Sequence, residues 1–269
     1  MNNLSIKITA YMLFLVCQPF VYAKQVVTNP DWNVGFGSQF QNIIYAVIYA
    51  ELHDMEFVYT PFKSMEQNYT GNPDDPDFLA RKERLINFKS SFPIDYKLSV
   101  ERLSVNRVMP FFESNLAACV QSNALKKIKK VFRANKNIRD YFDADHMHIA
   151  VHIRRPNQHD NRLAGADTPD EVFLNVINKL RGYYKLLQPV FHIYSEGKRS
   201  NFRKFDAPDT VFHVNESIED TFTGLVLADA LVTSASSFSY TAGILSEGTV
   251  YYMPFWHPPL PGWISIATL

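Results

Sequence analysis

The chain has 269 residues, 46% of them hydrophobic and 14% aromatic, enough for a sizeable core in one large domain or two smaller ones. Its 27 basic residues are balanced by 27 acidic ones, and a formal net charge of +0 excludes a protein that grips nucleic acid or a membrane surface through its overall charge. An anionic ligand has to be held by a local arrangement.

In chain order, Lys7 precedes the apolar run ITAYMLFLVCQPFVYA, which is short for a membrane span and is broken by Gln18 and Pro19. It ends at Val21-Tyr22-Ala23, with small or apolar residues where a signal peptidase reads, so residues 1–23 are expected to be a cleaved secretory signal; an uncleaved anchor is the competing reading. Cys17 falls in this leader, so Cys119 is alone in the mature chain and no intramolecular disulfide can form. Asn68-Tyr69-Thr70 and Asn215-Glu216-Ser217 are sequons that such a compartment would glycosylate.

The strand-like KQVVT leads to Gly35 and Gly37, to a helical pattern through Phe40, Ile43, Ile44, Val47 and Ile48, and then to the strand EFVYT. Residues 61–100, rich in Pro, Asp, Asn and Lys, are expected to form a long surface excursion with a helix at 76–88, and 115–144 reads as helical and basic. A boundary near 145 divides an N-terminal α/β lobe, 24–145, from a C-terminal lobe, 146–269. In the second lobe, strands at 148–153, 189–194, 210–214, 230–233 and 249–253 alternate with helical patterns, which implies a doubly wound parallel sheet. A helix at 168–184 is expected to start with a capping box, Thr168-Pro169-Asp170-Glu171, and to bury Val172, Phe173, Val176, Ile177 and Leu180.

Two polar groups fall at strand ends, where open parallel sheets bind ligands. His152, Arg154 and Arg155 end the strand HIAVHI; the guanidinium forks suit phosphate oxygens, and the bland alternative is a solvated ion pair. Ser234, Ser236, Ser237 and Ser239 lead from the strand ALVT into a helix; their hydroxyls and the free N–H groups there form an anion cradle, unless one serine caps the helix and the rest are loop. His146 and His148 in HMH have no supporting metal ligands at suitable spacing and read as strand-edge residues. Gly35-Phe36-Gly37 lacks the third glycine of a dinucleotide fingerprint, and the serines form no Gly-x-Ser-x-Gly elbow. The C-terminal aromatics YYMPFWHPPLPGW either stack on sugar or pack between lobes.

His152-Ile153-Arg154-Arg155, the stretch ADALVTSASSFSY and the turn Gly35-Phe36-Gly37-Ser38-Gln39 before an aromatic-rich helix together resemble the fucosyltransferases that share the α1,2, α1,6 and protein-O-linked motif set. The resemblance covers about 34–60 and 148–254 and implies a two-lobed GT-B-like fold, GDP-fucose as donor, a glycan or glycoprotein acceptor, inversion at the anomeric carbon and no metal. It implies that His152 lies near the guanine, that Arg154 holds the β-phosphate and is the catalytic residue, with Arg155 beside it, and that Ser234, Ser236, Ser237 and Phe238 line the donor site. It also implies that Asp220 approaches the base and that Gly37, Gln39 and Asn42 close over the donor from the first lobe. The chain departs from the family pattern after Arg155, where Pro156-Asn157 follow, and at Ser38-Gln39 in place of Asn-Gln. Candidate general bases are Glu51, His53, Asp54, Asp160 and Glu196. A non-catalytic carbohydrate- or nucleotide-binding protein on the same fold, or an interaction module, remain the alternative readings.

Overall fold

The computed structural model describes residues 23–65, 75–94, 100–155 and 168–269. Residues 1–22 of the leader, Asn68 and Asp160 lie outside the described residues. In the first half, β1 (Val26–Thr28), β2 (Glu56–Val58) and β3 (Glu101–Arg102) form a parallel sheet in the order β2-β1-β3. Between β1 and β2 runs α1 (Phe36–Leu52), with 13 of its 17 residues buried. A helix apolar on nearly every side has to lie inside the protein, and α1 does: it packs on α3 (Val105–Ser114), α5 (Asn123–Arg133) and α8 (Ser237–Leu245).

The helix expected at 76–88 is present, and the described residues of 61–100 around it pack inward rather than forming the surface excursion expected from their composition. There α2 (Phe78–Ile86) buries Phe78, Leu85 and Ile86, and Phe88 and Phe92 stack 4.7 Å apart in the core. Lys82 is itself buried, with its ammonium 4.0 Å from the Phe78 ring centre and 2.7 Å from Glu219 of the second half. The basic stretch 115–144 contains α4 (Leu116–Gln121) and α5, whose Leu125, Ile128 and Phe132 face inward. Cys119 is a free, buried thiol, pushed up to about 11 by burial.

The second half is a six-stranded parallel sheet of β4 (Met147–Ile153), β5 (Pro189–Ser195), β6 (Thr210–Val214), β7 (Ala230–Val232), β8 (Thr249–Tyr252) and β9 (Ile264–Ser265), in the order β6-β5-β4-β7-β8-β9. Counted from β4, this is the doubly wound 3-2-1-4-5-6 order. Alternate residues of β4 sort to two cores: Ile149, Val151 and Ile153 face α6 (Asp170–Tyr183), and Ala150 faces α7 (Ile218–Leu227) and the first half. The two sheets with their helices give the α/β, two-lobed, GT-B-like architecture, and the core around α1 continues from one half into the other.

At the start of α6 the expected capping box is absent. The N-cap is Pro169, in an extended conformation and with no side-chain cap, and the helix begins at Asp170. Asp170 is pulled instead into an ion pair with Arg155. The inward face is as expected, with Phe173, Val176, Ile177 and Leu180 buried. No helix among the described residues is long and apolar enough to cross a membrane.

Contact between α1 and α8 depends on Gly37. A Cβ there would stand 2.5 Å from Cα and 2.6 Å from N of Phe238, and the Gly37 carbonyl accepts a hydrogen bond from Thr241 at 3.0 Å. Gly37→Ala therefore forces backbone apart rather than a flexible side chain. It is expected to destabilise the protein by about 1–3 kcal/mol, the usual cost of overpacking, read as a shift of the denaturant midpoint at unchanged slope.

Candidate functional site

The order of the second sheet reverses between β4 and β7, and ligands of doubly wound sheets bind in the crevice outside the strand ends at that point. His152 and Arg154 lie at the end of β4, and Ser234 follows β7. A hydrogen bond of 2.7 Å between His152 Nδ1 and Ser234 Oγ spans the crevice. Ser239 Oγ accepts from the Ser234 N–H at 3.1 Å and holds the turn. Ser236 is the N-cap of α8, its hydroxyl accepting from the Phe238 N–H at 3.3 Å, while Ser237 starts the helix half-exposed. One serine thus caps and two brace, and Ser237 is left at the rim of the helix end.

The close approach at Gly37 sets the N-terminus of α1 against that of α8. The N-cap of α1 is Gly35, which offers no side-chain acceptor to the first-turn N–H groups. Two positive helix ends therefore meet beside the end of β4, which Arg154 follows, an arrangement that favours an anion. Burial, and next the charge of Arg154, push the His152 imidazole down to about 3, so at neutral pH it is an uncharged hydrogen-bonding group. Beneath, Phe222 of α7 meets Phe36 at 5.1 Å and Phe238 at 5.2 Å, both edge to face, fixing the helix ends on an apolar floor.

Arg155 turns away from this edge. It pairs with Asp170, donates to the Thr168 carbonyl at 3.3 Å and lies 5.8 Å from the Phe202 ring centre. It is a strut between β4 and α6. Asp220 lies in the first turn of α7, where its N–H and one carboxylate oxygen are both held by Ser217 Oγ, at 3.0 and 2.7 Å. Gln39 ties the glycine turn to Val34 and Ser64 carbonyls at 2.7 and 2.9 Å. Asn42 donates to the Ser38 carbonyl at 2.8 Å and leaves its buried Oδ1 without a hydrogen bond, facing a recess shared with Asn29, Trp32, Thr60, Lys63 and Arg102.

Three candidate bases are not at this edge. Glu51, His53 and Asp54 lie at the other end of α1, about 20 Å or more from Gly37 at 1.5 Å per residue. There Glu51 accepts from the Ala124 N–H, His53 stacks on Tyr49, and Asp54 pairs with Lys24. Glu196 follows β5, whose last residue, Ser195, pairs with Ile153 at the end of β4. Asn215 is exposed, but its side-chain amide makes two 2.8 Å hydrogen bonds with the Gly197 backbone.

Some groupings were not legible in the sequence. His257 Nδ1 bonds Glu113 Oε1 at 2.6 Å, like an oriented acid–base pair, yet its Nε2 meets Gln41 at 3.1 Å, which makes it a buried clamp between α1, α3 and the C-terminal segment. Tyr240, Tyr252 and Trp263 pack together there, and of the aromatic residues of that stretch Trp256 is the one largely exposed, at 67%. A cavity of about 690 Å³ opens at the opposite sheet edge, where Lys129 and Arg133 bond the Ser246 and Val226 carbonyls. Both cations meet helix C-termini, and the buried Arg133 Nε, which makes no hydrogen bond, also stands 3.6 Å from Glu247.

Fold and site together define an α/β protein of two parallel sheets, the second of which reverses its order at an edge lined by His152, Ser234 and two helix N-termini. No family model matches the chain, and no curated protein matches it. Among solved structures it is similar to the fucosyltransferase NodZ from Bradyrhizobium, at 12% identity over 84% of this chain and 93% of that one, with a TM-score of 0.44. It is also similar to POFUT1 in complex with GDP, at 11% identity over 82% and 95%, TM-score 0.44. A third similarity is to the E. coli heptosyltransferase WaaC with ADP-2-deoxy-2-fluoro heptose, at 9% identity over 90% and 92%, TM-score 0.44.

The strut can be measured apart from any ligand. In a double-mutant cycle, Arg155→Lys and Asp170→Asn are each expected to lower the melting temperature, and their coupling energy is expected at about 1–3 kcal/mol, the range for partners in one network. A coupling near zero would remove Arg155 from that role.

Proposed function

We propose that the chain is a glycosyltransferase that moves fucose from GDP-fucose to a hydroxyl of a glycan or protein, with inversion and without a metal in the chemical step. The observation that supports this best is the meeting of the α1 and α8 N-termini at the switch point of the second sheet, where Arg154 follows β4 and its charge bears on His152. The motif resemblance at His152-Ile153-Arg154-Arg155 supplies the donor. In this reading residues 146–269 hold the nucleotide sugar and residues 24–145 face the acceptor.

The bond from the anomeric carbon to the β-phosphate oxygen breaks as the acceptor oxygen attacks from the other face, and the negative charge grows on departing GDP. Arg154 and the first-turn N–H groups of α8, with the rim hydroxyl of Ser237, meet that charge, the work that a metal ion does elsewhere. Neutral His152 braces the turn through Ser234. Asp220 takes the base side, and Gln39 and Asn42 hold the first-lobe turn over the donor. The acceptor proton passes to Glu196, the described candidate at this edge, or to Asp160. A cleaved leader places the protein in the lumen of the secretory pathway or outside the cell, with glycan at Asn68 or Asn215; a retained leader anchors it to the membrane.

A second reading, a non-catalytic carbohydrate- or nucleotide-binding protein, is favoured by the placement of Glu51, His53 and Asp54 at the far end of α1. The two readings separate on turnover. The transferase binds GDP and consumes GDP-fucose at a rate unchanged in excess chelator, whereas the binding protein binds GDP alone. Arg154→Lys keeps the charge but loses the planar fork. It is expected to melt as the wild type, to bind GDP several-fold or more weakly, and to lose about 2–4 kcal/mol of transition-state stabilisation; Ser237→Ala is expected to be milder. Wild-type affinity and turnover in Arg154→Lys, with a lowered melting temperature, would reduce the arginine to an ion-pair partner.

A further inference from the structure

The carboxyl edge of the first sheet carries a recess of its own. Asn29, the residue after β1, ties the exit of β2 to it: its Oδ1 accepts from the Thr60 N–H at 2.9 Å and its Nδ2 donates to the Thr60 carbonyl at 3.1 Å. Against this pair α1 lays Gln39, Asn42 and Ile43, and between them is a recess of about 10 Å³, the room of one water or one hydroxyl. Trp32, in the loop between β1 and α1, lines it too and is 46% exposed.

One atom in the recess calls for a partner. Asn42 is 5% exposed; its Nδ2 donates to the Ser38 carbonyl at 2.8 Å, which fixes the amide the right way round, and its buried Oδ1 accepts no hydrogen bond. A buried acceptor of this kind is costly unless a donor reaches it. The charges on the same wall limit what that donor can be. Lys63 and Asp31 pair at 2.6 Å and are neutral together, while Arg102, which donates to the Asn29 carbonyl at 3.0 Å, adds a positive charge. An ammonium or a guanidinium is opposed there, so the donor that fits is an uncharged O–H or N–H.

An exposed indole beside a hydroxyl-sized pit suits a sugar, whose C–H face lies on the ring while one hydroxyl enters. A peptide finds less to hold. The edge strands β2 and β3 have three and two residues, and the chain after β2 is already bridged at Tyr59 to Ile94, so little backbone is left to pair. The place of the recess adds a length. At 3.6 residues per turn, Gln39, Asn42 and Ile43 lie roughly 140–240° round α1 from Gly37, so the recess and the contact with α8 are separated by the width of the helix, about 10 Å. One pyranose ring does not span that width.

We propose that Trp32 and the recess at Asn42 form a subsite for one uncharged unit of an oligosaccharide, at least one unit away from the hydroxyl that reacts. That this oligosaccharide is the acceptor rests on the transferase reading; that it binds here does not. Contact with a remote unit holds the reacting hydroxyl in place, which is how an enzyme uses binding energy for orientation. The subsite also names the acceptor class, a glycan rather than a bare protein side chain.

Binding of free oligosaccharide tests this with neither donor nor turnover. The probe is an array of neutral di- to tetrasaccharides that also carries serine- and threonine-containing peptides, followed by titration of the retained species in solution. The wild type is expected to retain a neutral oligosaccharide and no peptide. Trp32→Ala, a truncation at an exposed position, is expected to bind that oligosaccharide about tenfold or more weakly at an unchanged melting temperature. On the wild type, the Trp32 indole N–H resonance is expected to shift during the titration, a readout that does not depend on how the variant folds. Retention of peptide alone, retention of nothing, equal affinity in Trp32→Ala, or an indole signal that stays fixed overturns the proposal. GDP binding and GDP-fucose turnover are measured separately, so a protein that holds the oligosaccharide without turnover fails as a transferase and keeps the subsite.

Discussion

The contact between α1 and α8 is the constraint on which the site depends. With no side chain at Gly37, the first turn of α1 lies against the backbone of Phe238. Helix N-termini each carry roughly half a positive charge, so setting two together is unfavourable unless an anion is near. The protein holds them there by other means: the Phe36, Phe222 and Phe238 rings below, and the Thr241 hydrogen bond to the Gly37 carbonyl. An electrostatic cost borne by apolar packing is what preorganisation means in physical terms, because the donors are already aimed before charge arrives.

Two adjacent arginines at the end of β4 divide between that edge and the fold. Arg155 is engaged by Asp170 and the Thr168 carbonyl at the start of α6, whose N-cap is Pro169 rather than the Thr168 that the sequence suggests. The strut holds the strand end in place beside the crevice. Arg154 projects from a backbone fixed on one side by that strut and on the other by the His152–Ser234 bond. A guanidinium whose base cannot swing loses little on meeting a ligand.

Much of the second half was legible because parallel strands buried on both faces read as short apolar runs, and β4 to β8 lie within a residue or two of the expected spans. Phe173, Val176, Ile177 and Leu180 on α6 were equally plain from their spacing. The helix expected at 76–88 is α2, but composition misled about its burial: polar neighbours concealed that Phe78, Leu85 and even Lys82 lie inside, the last made tolerable by Glu219 from far along the chain. The histidines show the same limit. His148 read alone is a strand-edge residue; its meaning lies in His192 and His213, which only strand register brings together. Likewise Glu51 and His53 follow the glycine turn closely in sequence, but a 17-residue helix carries them away from it.

One face of β4 carries His148, Ala150 and His152, and the two imidazoles on it have different partners. They are four residues apart, about 13 Å along the strand. His152, desolvated and next to Arg154, is held neutral, so a second cation does not compete with the guanidinium for position or for ligand. His148 lies further back, in a line of rings with His192 and His213 that Asp143 and Glu216 flank. The strand thus ends on an uncharged brace beside a fixed charge, and α7 touches both stretches of it, through Phe222 at the site and Ser217 beside Glu216.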